Sequence, residues 1–533
     1  MGLVCSKCKE SSGIGMAAAE LRSFFDWFSS HLELKTRPWL ILGKGPSFSK
    51  RQFFDLSGFN TLSLNHAVRE QHVTVAHIID FDVVEACGDC LETNAQVVVL
   101  PWAPHVNNRA GEKNLLDFVD LSPVLRRLCH QDRLLYYNLS TGPLQRAGSP
   151  VVQVRYFSAE AALNLLTTAG VQQVRSLGID GGANYSQDFA DLKDKTLLAN
   201  GRTSFNKQFE EIAKTILRTQ VDYAPLDVES PVRVYVAATE AEMLPVKVLE
   251  FSIRKHASMS VDVKPIYQTG IGIPLPKDPE NLPRTPFSFQ RFLIPEVIGY
   301  KGRAIYLDAD MQVFKDLRSL WVMPFKGAEI LAVQEPVETG RRPQFSVMVL
   351  NCDFLKWKVR DIVDDLDKGT LTYAQLMYEM TVAKTIDRCI DPAWNSLERY
   401  DEDETALLHY TDMHTQPWVS QINPLGYLWV RDLFEAIDLG VISEDYVRES
   451  VKKGFVRPSL LYQLEHRIED ALLLPRKGKL MDEEFNPPYT NLPHHGSTSL
   501  LNRMHWLKAK ARHYYQQSHL QWAYRKCRNY LTR

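Results

Sequence analysis

Two carboxylates, Asp308 and Asp310, stand one residue apart in the stretch "RAIYLDADMQVF" (303–314), directly behind an apolar run. Residues two apart on a strand point to the same side, so both carboxylates can converge on one cation at the strand's carboxyl end. Hard oxygen ligands suit Mg²⁺ or Mn²⁺, and a nearby imidazole favours Mn²⁺. A helix cap or a turn would also use aspartates at this spacing. Against a solvated turn, "AIYL" reads as a buried strand and Met311 to Phe314 continue apolar.

The elements that must hold this pair are α/β in pattern. Residues 1–35 read as an N-terminal tail and 36–225 as a first domain. In that domain "PWLILGKGPS", "TLSLNHAV", "VAHIIDFDVV" and "VRSLGIDGG" read as strands, with a helix over "SAEAALNLLTTAG". Strands alternating with helices over short connections indicate a mostly parallel sheet. "DYAPLDVESP" (222–231) is polar and proline-bearing and reads as a linker. A second α/β domain spans 226–425, and 426–533 form a helical extension whose last part, from Leu500, carries eight Lys/Arg and no acid among Trp and Tyr residues. Such a basic, aromatic tail can lie on an anionic membrane surface or pack on the domain before it.

The totals set limits. With 533 residues the chain exceeds one ordinary core, and 45% hydrophobic with 24% charged residues is the mix of a soluble globular protein. A net charge of −2 argues against a nucleic-acid binder. No apolar run reaches the roughly 18 residues of a membrane span, and no secretory signal is evident, so a cytoplasmic location is expected. The pairs Cys5/Cys8 and Cys87/Cys90 lie too far apart for an ordinary zinc knuckle and read as reduced thiols. "MGLVCSKCK" fits a myristoylation pattern with Cys5 as a palmitate acceptor, which would add peripheral contact with the inner face of the membrane; Met16 is an alternative start.

Four ordered motifs make residues 232–425 resemble the retaining glycosyltransferases of family 8, which include glycogenin and the lipopolysaccharide galactosyl- and glucosyltransferases. They are "FQRFLIPEVIGYKGRAIYLDADMQVFKDL", "SVMVLN" (346–351), "DPAWN" (391–395) and "HYTDMHTQPW" (409–418). The resemblance implies a GT-A fold and a UDP-sugar donor. It also implies a Mn²⁺ (or Mg²⁺) held by Asp308, Asp310 and His409, with Arg291 along the donor phosphates and Ala238 and Thr239 bordering the base. Asp412 replaces the family's usual glycine, and Gln416 replaces a lysine that touches the diphosphate. An Asp-Gln pair near the reacting sugar corresponds to Ala374-Gln375, leaving Gln375 as a catalytic candidate beside Asp308 and Asp310. His409 also admits a reading as a hydrogen-bonded core histidine, His414 is a neighbouring alternative, and Trp394 and Trp418 read as packing residues.

In the first domain, "LILGKGPSF" puts Gly43 and Gly45 in a strand-to-helix turn, where small residues let backbone N–H groups approach a phosphate. With Ser47, Asn65, Asp80 or Asp82, and Asp180, the domain resembles the nucleotide-binding half of sialyltransferase-like and pterin-pyrophosphokinase-like proteins. The whole chain is therefore expected to be two Rossmann-like domains, the second a GT-A transferase moving a hexose to a glycan or lipid-linked acceptor. Two alternatives stay open: a bifunctional enzyme whose first domain uses a CMP-sugar, and a silent glycan- or nucleotide-binding scaffold.

Overall fold

The computed structural model describes residues 21–192, 203–334 and 345–488. The lipidation pattern, the Cys5/Cys8 pair and the basic tail after Leu500 lie outside them. Two compact units emerge, one running to Glu229 and taking in Ser258–Ser260, the other comprising the remainder. Among the described residues no helix is long and apolar enough to cross a membrane.

The first unit is built on β1 (Trp39–Leu42), β2 (Asn60–Leu64), β3 (Val73–His77), β4 (Ala95–Pro101), β5 (Leu134–Leu139), β6 (Val151–Val152), β7 (Gln173–Leu177) and β8 (Asp222–Pro225). All pair in parallel, in the order β8-β7-β1-β2-β3-β4-β5-β6. Both faces are covered, which is why WLIL or VVVL runs apolar without alternation. Trp39 and Ile41 enter one core, Leu40 and Leu42 the other.

Two sequence expectations change here. The compact unit starts ahead of residue 36: helix α1 (Phe24–Ser29), capped by Ser23, buries Phe24, Trp27 and Phe28 in the first core. Each fully buried Phe contributes roughly 2–3 kcal/mol, enough to hold so short a helix. The stretch read as a linker begins as β8, an edge strand with Tyr223 buried and its hydroxyl 2.9 Å from Ser176 Oγ. Its proline sits at the strand's end, where the missing N–H costs no ladder bond.

The second unit has a six-stranded mixed sheet made from β9 (Val232–Ala237), β10 (Val261–Pro265), β11 (Arg303–Asp308), β13 (Ile330–Val333), β14 (Val347–Asn351) and β15 (Ile386–Ile390), in the order β10-β9-β11-β14-β13-β15. A three-stranded sheet, β12 (Met311–Val313), β17 (Leu407–His409) and β16 (Ser396–Leu397), lies at the carboxyl end of β11. Helix α2 (Met243–His256) supports it through Ser252 Oγ, which accepts the Val313 N–H at 3.0 Å. Helix α3 (Gly426–Asp438) returns to the same place: Asp432 takes Lys255 at 3.0 Å and the Gln312 amide at 2.6 Å. The helical extension through Leu480 thus belongs to the second compact unit.

The β1–β7 junction is tight. At Gly178 φ is +76°, and a Cβ there would lie 2.4 Å from the Gly43 carbonyl oxygen. Gly170, at φ +93°, has open space around it. Gly170→Ala should therefore cost only the left-handed penalty of about 1–2 kcal/mol, whereas Gly178→Ala adds a backbone clash and should cost clearly more. Urea denaturation of the two variants, followed by first-unit hydrogen exchange, checks the difference.

Candidate metal centre

Strand β11 ends on Asp308, Ala309 turns the chain, and β12 begins at Met311. Antiparallel pairing sets Met311 opposite His409, and the Tyr410 N–H donates to the Asp310 carbonyl at 2.8 Å. His409 Nε2 thereby lies 3.0 Å from Asp310 Oδ1 and 4.0 Å from Asp308 Oδ2. Ligand atoms of Asp308, Asp310 and His409 all fall within 4.8 Å of one another.

Around the three, neighbouring side chains take most of the remaining polar atoms. Asn395 Oδ1 accepts from His409 Nδ1 at 2.9 Å, which leaves Nε2 facing the carboxylates. Burial lowers the affinity of His409 for a proton, but Asp310, then Asp308 and Glu398, outweigh it, and the imidazole titrates above its usual range. A divalent cation could draw on the same three groups, and this oxygen- and imidazole-based donor set fits Mn²⁺ or Mg²⁺. Tyr306 donates to Asp308 Oδ1, and burial keeps its hydroxyl protonated far above the usual phenol range. Gln416 Nε2 donates to Asp310 Oδ2 and to the Tyr410 carbonyl, both at 3.0 Å.

These three side chains open on a cavity of about 290 Å³ that Glu242, Arg284, Tyr373, Met377, Gln416 and Trp418 also line. Arg291 lines it too, but its guanidinium is bound to the protein. Nε donates to the Ser288 carbonyl at 3.1 Å and Nη1 to Phe345 at 3.0 Å, Nη2 is 3.6 Å from Asp308 Oδ1, and the Tyr306 ring lies beneath. Arg291 therefore orients Asp308 as well as bordering the cavity. Ala238 has its N–H and carbonyl both satisfied by the Gln290 amide, and Thr239 is tied to Glu242. Gln375 is not among the lining residues: its Oε1 accepts from the Thr372 N–H and hydroxyl, capping its own turn. His414 stands outside the triad, its N–H donating to Asp412.

Sequence reading missed Asn395, Tyr306 and Gln290 as positioning residues. Asn395 lies inside "DPAWN", but only the β16–β17 pairing (Leu397 opposite His409) brings it to the imidazole.

In the first unit the glycine turn works differently from expectation. Gly43 N–H donates to the Leu177 carbonyl at 2.8 Å and Gly45 N–H to Gly178 at 2.9 Å, so neither is left for a phosphate. Added Cβ atoms would lie 2.3 Å from Gly178 O and 2.5 Å from Asp180 Oδ2. These residues are small because β1 and β7 close on each other there. Ser47 is likewise a clasp: its N–H donates to Asp180 Oδ2 and its hydroxyl oxygen accepts from the Gly178 N–H, both at 2.7 Å. Asn65, at φ +49°, donates to Ser158 at 3.1 Å and lines a separate cavity in this unit.

Comparison with known proteins bears on the second unit. Residues 254–421 match the model of Glycosyl transferase family 8. Protein CDI of Arabidopsis thaliana is 28% identical over 254 residues, 42% of this chain and 91% of that protein. Glycosyltransferase GlyF of Streptococcus pneumoniae is 28% identical over 168 residues, 27% of this chain and 42% of GlyF, so the match spans less than half of that relative. Among solved structures, galactosyltransferase LgtC with donor and acceptor sugar analogs is similar at 14% identity, over 41% of this chain and 100% of LgtC, with a TM-score of 0.30.

Asn395→Ala should release the His409 ring while leaving both carboxylates in place. Mn²⁺ affinity, read by calorimetric titration, is expected to fall about 10- to 100-fold with circular dichroism unchanged.

Proposed function

We infer that the second unit, a family 8 glycosyltransferase domain of the retaining type, moves a hexose from a UDP-sugar to a glycan or lipid-linked acceptor and needs Mn²⁺ or Mg²⁺ to do so. The observation that carries this reading is the convergence of Asp308, Asp310 and an Asn395-oriented His409 on one cavity. A divalent cation held there would neutralise the charge that grows on a departing diphosphate.

The protein's own residues do the rest. Asn395 keeps Nε2 of His409 turned to the carboxylates, Tyr306 and Arg291 hold Asp308, and Gln416 holds Asp310. The ligands are thus fixed before any donor arrives, and little reorganisation remains for the reaction. Gln416, standing where the family has a lysine, supports the centre through a neutral hydrogen bond. Ala238 and Thr239, at the end of β9, would border the donor's base. In a retaining transfer the leaving phosphate can accept the acceptor's proton on the same face, so Ala374 in place of an acid is compatible with turnover. The basic sequence after Leu500 would supply contact with an anionic surface carrying a lipid-linked acceptor.

A panel of UDP-sugars, read by UDP release with and without Mn²⁺, tests the reading. At least one donor should be hydrolysed slowly in a chelator-sensitive manner. Asp308→Asn should lower that rate by about 100-fold or more. Wild-type turnover in the variant would overturn the metal assignment, and silence toward every donor would favour a scaffold.

A further inference from the structure

The strand order of the first unit reverses at β1, which has β2 on one side and β7 on the other. In open parallel sheets ligands bind outside the carboxyl ends of the strands at such a reversal. A cavity of about 670 Å³ lies there, reached by Lys44 after β1, Asn65 and His66 after β2, Asp80 after β3 and Asp180 after β7. Its volume falls in the range of small-molecule sites, roughly 300–1,000 Å³.

Three of the polar groups facing it lack a hydrogen-bond or ion-pair partner among the described residues. His66 is 6% exposed, and its Nδ1 is buried with no hydrogen-bond partner. His105 Nε2, on the same cavity, is buried and unpartnered as well. Among the described residues no carboxylate comes within ion-pair distance of the Lys44 ammonium, which rests over the Tyr185 ring at 4.7 Å. The nearby acids are engaged elsewhere: Asp180 accepts from Ser47, Asp80 accepts the Asn108 N–H at 2.8 Å, and Asp191 pairs with Arg69 at 3.0 Å. Burial draws Lys44 down to about 8 and His66 to about 4, with Lys44 itself adding to the shift on His66. Desolvated donors of this kind are costly unless an acceptor-rich group meets them.

Part of the cavity wall is aromatic. Phe157 and Phe205 have ring centroids 5.3 Å apart, Tyr185 and Phe205 6.1 Å, and all three line the cavity. Such a wall suits a planar ring.

We propose that the first unit holds a second ligand site, in which Lys44 and His66 bind the phosphate of a nucleoside phosphate and the wall of Phe157, Tyr185 and Phe205 receives its base. The site uses none of the second unit's residues, so it stands or falls apart from the transferase reading. It also moves phosphate recognition from the backbone of the glycine turn to the lysine between the glycines.

The test uses the full chain, with calorimetric titration of CMP, UMP, GMP, AMP and inorganic pyrophosphate into wild type, Lys44→Gln and Asp308→Asn. At least one nucleotide should bind wild type and Asp308→Asn alike, more tightly than pyrophosphate does, and roughly tenfold or more weakly to Lys44→Gln. Amine labelling near pH 8, read by mass spectrometry, gives a check on unmutated protein: Lys44 should react readily and be protected by the bound nucleotide. The proposal is overturned if no nucleotide binds, if binding survives Lys44→Gln but not Asp308→Asn, if pyrophosphate binds as well as every nucleotide, or if bound nucleotide leaves Lys44 unprotected.

Discussion

Two carboxylates at one strand end repel each other, and the surroundings of Asp308 and Asp310 answer that repulsion. Arg291 lies against the first, His409 bridges both, and neutral donors from Tyr306 and Gln416 take one oxygen on each. None of these groups comes from the strand's own neighbours in sequence except Tyr306. The small sheet that delivers His409, the helix that supports that sheet and the extension that pins the helix all follow from keeping two like charges together. Asp432 shows how far this reaches: it joins Lys255 of α2 to Gln312 of β12 from an element more than a hundred residues downstream of both.

The same logic of compensated charge separates the two units. In the second, every charged group at the centre has a counterpart on the protein. In the first, Lys44 faces a cavity with an aromatic companion and, among the described residues, no carboxylate at contact distance. The contrast fits a site that is completed by something other than the chain.

Much of this was legible from residue order. "AIYL" before two aspartates marks a buried strand ending on a pair of carboxylates, and the alternation of strands with helices marks both sheets. What escaped had physical reasons. Asn395 and His409 are 14 residues apart and meet through a two-residue strand, too short to register as a pattern. Asp222–Pro225 has the polar, proline-bearing composition that an edge strand shares with a linker. Phe24, Trp27 and Phe28 sit in six helical residues, under two turns, where periodicity is weak. Gly43 and Gly45 were visible, but a glycine's reason is not: open backbone for a ligand and close approach of two strands look alike in one dimension.

The pairing of Met311 with His409 also dictates an order of assembly as the chain is made. Both carboxylates leave the ribosome about a hundred residues before the imidazole, an interval of roughly 5–20 s at ordinary elongation rates. During that interval β11 can join its sheet, but its charged end has no third ligand and no supporting helix. A cation captured then would be held by the two carboxylates alone and readily lost. At this centre firm occupancy by a cation would wait for β17 and α3, so tight metal retention, where it is measured, would report that the second unit has finished folding.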